Sequence, residues 1–156
     1  MEPSWTASWL WGLSLITVTT AFHAFGLVMI FRALRLPIRW GRGRGIHFRH
    51  PIVHAVVMIA VVGLLLTVLH GIEAALWTGA YLLVGAAGNE RDAMLYSLDS
   101  FTTRGASGIE LDQQWRMMGA LEAADGMLLF GISTAFVFAV LQKVIVLIDR
   151  SEQGRR

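Results

Sequence analysis

The chain has 156 residues, 55% of them hydrophobic and 15% charged, with a formal net charge of +2. A composition so apolar and so sparsely charged excludes an ordinary soluble domain, and it points to an integral membrane protein. The absence of cysteine excludes disulfides and thiolate metal sites and leaves the compartment open.

The first predicted element covers residues 8–31, a run of 24 positions without a formal charge and long enough to span a membrane. The start, Met1-Glu2-Pro3-Ser4-Trp5, lacks the basic region of a signal peptide, so this span is expected to be retained. Within it, His23 reads as a helix–helix hydrogen bond rather than a ligand. A basic loop at 37–51 follows the N-terminal helix (1–36). Arg32, Arg35, Arg39, Arg42, Arg44 and Arg49 all lie between the first two apolar runs. That position favours contact with anionic lipid headgroups over nucleic acid. His47, His50 and His54 have spacings that suit one helical face and a metal, but Pro51 interrupts them, which favours an interfacial role.

Residues 52–70 form a second uncharged run of 19, and the apolar character persists to about Val84. His70 and Glu73, spaced i, i+3, suit either a pH-sensitive pair or a satisfied polar contact. A third uncharged run starts at Gly126 and reaches Gln142, continuing past Lys143 to Ile148, with a tail at 149–156. Trp5, Trp9, Trp11, Trp40, Trp77 and Trp115 read as interfacial anchors.

Basic residues set the expected orientation. The Arg-rich loop and the closing Lys143, Arg150, Arg155 and Arg156 are placed in the cytoplasm by the positive-inside rule. The N-terminus and the segment between the second and third runs then face outward. The implied location is the inner membrane of a bacterium.

That intervening segment, residues 89–111, is the most informative part of the chain. A helix over 90–102 would measure about 20 Å against a hydrocarbon core of about 30 Å. Asn89 with Asp92 suits a helix start. The polar turn Thr103-Arg104-Gly105-Ala106-Ser107-Gly108 follows at once. Irregular backbone at membrane depth is tolerated only where it lines a cavity or is buried in protein. A re-entrant loop that merely packs two helices is the plainer alternative.

At these residues the chain resembles the potassium-channel pore-loop superfamily. The resemblance rests on the short helix at 93–102, with Tyr96, Ser97, Asp99 and the Thr102-Thr103 pair. It continues into Asp125-Gly126-Met127-Leu128-Leu129-Phe130-Gly131 and Ile132-Ser133-Thr134-Ala135, which is similar to the family's inner helix. It covers roughly residues 52–147, the pore domain being drawn at 52–148. The family's Thr-Val-Gly-Tyr-Gly filter is altered, with Arg104 in place of Val, Ala106 of Tyr and Ser107 of the second Gly. Gly108 replaces the following Asp.

The resemblance implies an all-α membrane protein of three transmembrane helices plus a re-entrant pore helix and filter loop, assembled as a homotetramer. The expected function is passive transport of monovalent cations, K+ and Na+, with weak selectivity. No cofactor is expected, and no nucleophile–base pattern points to an enzyme. The carbonyls of Thr103, Arg104, Gly105 and Ala106, with the Thr103 hydroxyl, are the candidate ion ligands, and Ser107 completes the filter segment. Gly105 is expected in a left-handed conformation. Alanine and serine at 106 and 107 remove the aromatic cuff behind the filter and loosen it.

Met127, Phe130 and Thr134 share a helical face that the resemblance turns toward the cavity, with Val137, Phe138 and Leu141 beyond. The family's gating hinge falls at Gly126, with Gly131 following. Asp99, Arg104, Glu122 and Asp125, of one chain or of two neighbouring chains, are expected to form a charge network behind the filter, since carboxylates in a membrane usually pair. Arg116 is a further candidate partner, and the i, i+3 pair Glu122 and Asp125 could instead bind a metal or carry protons. The alternatives are an anion-permeable pore, should Arg104 face the axis, and a non-conducting scaffold or sensor that keeps the channel fold.

Overall fold

The computed structural model describes residues 3–43, 51–105 and 108–153. Among them are four α-helices, α1 (Pro3–Gly43), α2 (Pro51–Leu83), α3 (Glu90–Phe101) and α4 (Arg116–Gln153), a 3-10 turn at Gln113–Trp115, and no strand. Three stretches are long and apolar enough to cross a membrane: Trp5–Leu34, Ala55–Leu83 and Gln113–Val146. At about 1.5 Å per residue even the shortest measures about 43 Å, well beyond a hydrocarbon core of about 30 Å. The described residues are thus all-helical, as expected, and three of their helices are compatible with the membrane class read from composition. Ala106, Ser107, His47, His50, Arg44, Arg49, Arg155 and Arg156 lie outside the described residues, as do the side chains of Arg35, Arg39, Trp40, Arg42, His54 and Arg150.

Proline opens both α1 and α2, at the first-turn position where its missing N–H leaves no bond unmade. α1 runs past the boundary expected at residue 36, through Pro37 to Gly43. A proline removes one intrahelical hydrogen bond, a loss that a long helix can accommodate locally. α2 ends on a left-handed glycine, Gly85 at φ 69°, with the Ala86 amide returning to the Tyr81 carbonyl at 2.8 Å.

The chain divides into two compact units. The first comprises Met1–Ala24 and Leu69–Gly131, and the second Phe25–Val68 and Ile132–Arg156. In the first unit, Trp77, Tyr81, Ala86, Ala93, Leu111 and Met118 form a buried cluster, with Leu15, Ile16 and Leu121 packed against it. α1 turns one stripe of small and polar residues inward: Ser8, Gly12, Thr19 and His23 are all buried. Their spacing of four, seven and four residues keeps them on one face. A Cβ added at Gly12 would collide with the Leu121 side chain, so glycine lets α1 lie close on α4.

α4 presents a matching face of Met118, Glu122, Asp125 and Leu129, all buried. Two glycines on α4 receive α3: a Cβ at Gly119 would strike the Tyr96 hydroxyl, and one at Gly126 the Phe101 carbonyl. In the second unit, Ile30, Val62, Leu66, Val140 and Val144 are buried, and the Lys143 ammonium stands 4.1 Å from the Phe31 ring centroid.

Candidate functional site

α3 is a short helix of 12 residues, about 18 Å long, and cannot cross a bilayer by itself. Asn89 caps it in extended backbone, its side-chain oxygen accepting from the Asp92 amide at 2.9 Å. Glu90 and Asp92 occupy the first turn, where negative charge answers the unpaired amides. At the other end Thr102 donates its N–H to the Leu98 carbonyl, and Thr103 turns to φ 57°, a left-handed conformation that β-branched residues seldom adopt.

The next two amides fold back onto one acceptor. Arg104 N–H and Gly105 N–H both point to the Asp99 carbonyl, at 2.8 and 3.4 Å. Gly105 takes φ 61° and Gly108 φ 70°. Asp99 also meets Arg104 through its side chain, Oδ1 to Nη1 at 3.5 Å. Thr102, Thr103, Arg104 and Gly105 are exposed on the single chain, whereas Asp99 is buried. One aspartate therefore holds the turn by both its backbone and its carboxylate.

Besides Asp99, the first unit contains three further buried carboxylates among the described residues, Glu73, Glu122 and Asp125, each met by side chains of other residues. Glu122 accepts from the Tyr81 hydroxyl at 2.6 Å and from the Ser97 hydroxyl. Ser97 Oγ also lies 2.8 Å from the Ala74 carbonyl, so its one proton serves a single acceptor at a time. Asp125 accepts from the Thr19 hydroxyl at 2.6 Å and the Trp77 indole at 3.1 Å. Glu73 faces two imidazoles, His23 Nδ1 at 2.8 Å from Oε1 and His70 Nδ1 at 3.0 Å from Oε2.

The expected charge network thus divides within the chain. Asp99 and Arg104 pair, and Arg116 pairs with Glu110. Glu122 and Asp125 are met by neutral donors instead of a guanidinium. Hydroxyl and indole groups answer a buried carboxylate without the desolvation that a second buried charge would add. Asp99 Oδ2 and Asp125 Oδ1 remain buried with no hydrogen-bond partner among the described residues.

Trp77 requires a correction. Expected at the interface, it is fully buried, because its N–H is committed to Asp125. Trp5, Trp9 and Trp11 are exposed, as anchors would be. Met127 and Phe130 are 61% and 39% exposed on α4, and Thr134 is exposed as well. Gly126 touches α3, whereas a Cβ at Gly131 would meet nothing within 4 Å.

Sequence reading missed Thr19 and Tyr81 and kept His23 apart from His70 and Glu73. For Thr19 and His23 the available signal was their place with Ser8 and Gly12 on one face of α1; Tyr81, on α2, had no such signal. Comparison with family models, with curated proteins and with solved structures found no match to this chain.

Proposed function

We propose that this chain is one subunit of a tetrameric pore of the potassium-channel pore-loop type, passing monovalent cations with weak discrimination between K+ and Na+. The observation that carries the reading is α3 with its C-terminal turn. A capped helix too short to span sits against two spanning helices and ends in two left-handed residues, Thr103 and Gly105. In this reading α3 re-enters the membrane and aims its negative end at a dehydrated cation. Thr103, Arg104, Gly105 and Ala106 supply carbonyl ligands, and Ser107 closes the filter.

The Arg104–Asp99 pair supports a guanidinium turned behind the filter rather than into the axis. Exposure of the turn and of Met127, Phe130 and Thr134 on the single chain suits surfaces that meet an axis and other subunits. The basic loop and tail are cytoplasmic and contact anionic headgroups, the N-terminus is outside, and the membrane is a bacterial inner membrane. No catalysis is assigned.

Reversal potentials of the purified protein in planar bilayers with K+ and Na+ gradients test the proposal. Comparable permeability to both ions is expected, and strong K+ selectivity would overturn the loose filter. A second reading draws on the 71% exposure of the Arg104 side chain. Four such groups in the axis would make the pore anion-permeable or silent. Anion-selective currents that become cation-selective in R104Q would establish it, and no current under any pH or voltage would favour a scaffold.

A further inference from the structure

We propose that His23, His70 and Glu73 form a binding site for one divalent first-row transition ion, such as Zn(II), that ties α1 to α2. The site is separate from the filter and does not depend on the pore reading. One ligand atom from each residue lies within 4.8 Å of the others. Both imidazoles aim the same atom, Nδ1, at the two oxygens of one carboxylate, at 2.8 and 3.0 Å. Around a tetrahedral ion bound at about 2.0–2.1 Å, neighbouring donor atoms stand about 3.3 Å apart. Small side-chain rotations therefore convert the hydrogen-bonded cluster into a coordination set.

The placement is that of a metal site in a helical bundle. His70 and Glu73 are one turn apart on α2, and α1 supplies the third ligand from a different helix. His23 and Glu73 are fully buried, and the His70 side chain is 11% exposed, which leaves a route for an ion. The two imidazole rings stack at 5.2 Å and 27°. The Phe130 ring, 4.4 Å from the His70 ring, and the Phe101 ring, 5.7 Å from it, wall the site. An apolar wall restricts ligand rotamers and limits competing water.

Two imidazoles and a carboxylate suit zinc with a fourth position open, and they are poor ligands for Mg2+ or Ca2+, which demand oxygen. A hydrogen-bonded cluster would satisfy the carboxylate without an ion, and that is the reading the experiment must separate. Because Phe101 is the last residue of α3, an ion that immobilises His70 would also steady the end of the short helix.

The test uses the full chain, purified in detergent and stripped with a chelator. Titration with Co2+ should produce the visible d–d bands of a four- or five-coordinate ion at one equivalent per chain, and Zn2+ should displace them. Zn2+ should also raise the Tm of the unmodified protein. H23A, H70A and E73Q should each weaken binding by more than the about 10–100-fold that loss of an outer-shell partner brings. A variant lacking the other three histidines, H47A/H50A/H54A, should keep the bands. Absence of the bands and of the Tm rise in the unmodified protein would overturn the site, whatever the variants do. Loss of the bands in the H47A/H50A/H54A protein, with retention in H23A and H70A, would overturn it equally.

Discussion

Alanine at Gly126 and alanine at Gly131 should have opposite effects on stability, although both glycines lie on one helix five residues apart. A Cβ at Gly126 would collide with the backbone carbonyl of Phe101, which no side-chain rotation can move. Overpacking of this kind costs about 1–3 kcal/mol. Replacing a helical glycine by alanine returns about 1 kcal/mol of intrinsic propensity at either position. The expected net change is thus a loss of about 0–2 kcal/mol for G126A and a gain of up to about 1 kcal/mol for G131A, where nothing lies within 4 Å. The propensity term cancels in the difference, which should be about 1–3 kcal/mol. Denaturant titration of helical circular dichroism in matched micelles measures it. Equal stabilities would mean that α3 does not lean on α4 at Gly126, and the packing described for the first unit would be wrong. G119A provides an internal scale, because its obstacle is the far end of the Tyr96 side chain and should yield more cheaply.

Y81F should destabilise the fold by about 1–3 kcal/mol in the same titration, since Glu122 loses a buried donor; a neutral result would remove Glu122 from the interior. T103G should relieve about 1–2 kcal/mol of left-handed strain while reducing bilayer current, because a candidate ligand hydroxyl is lost; a less stable protein would refute the strain. R104Q should change stability by less than about 1 kcal/mol, the 3.5 Å pair being largely exposed, and should leave the reversal potential close to that of the unmodified protein, since the backbone carbonyl is kept and the side chain lies behind the filter; a switch from anion- to cation-selective current would place the side chain in the axis. The chain has no cysteine, so P3C and Q153C provide unique labels. Impermeant maleimide added to right-side-out vesicles should reach P3C and leave Q153C unlabelled, and the reverse pattern would invert the topology.

Local chemistry alone determined much of this protein. Three apolar runs of sufficient length dictate three long helices, because a chain without charges over that distance has no better way to satisfy its backbone in lipid. Asn89 with Asp92 announced the start of α3, and Gly105 its left-handed turn, since a cap and a positive φ depend on only a few adjacent residues. The partners of the buried carboxylates had no such local signature. Thr19 and Asp125 are separated by 106 positions, and His23 and Glu73 by 50. Glu122 and Asp125 were expected to find an arginine from charge alone, yet hydroxyl and indole groups brought by other helices hold them. Trp77 carries an anchor's side chain in an anchor's sequence position, and only the approach of α4 turns its N–H inward to Asp125. Length, hydropathy and capping are properties of neighbouring residues. Which polar groups meet in the interior follows from the register and rotation of whole helices, and those are set by packing around Gly12, Gly119 and Gly126.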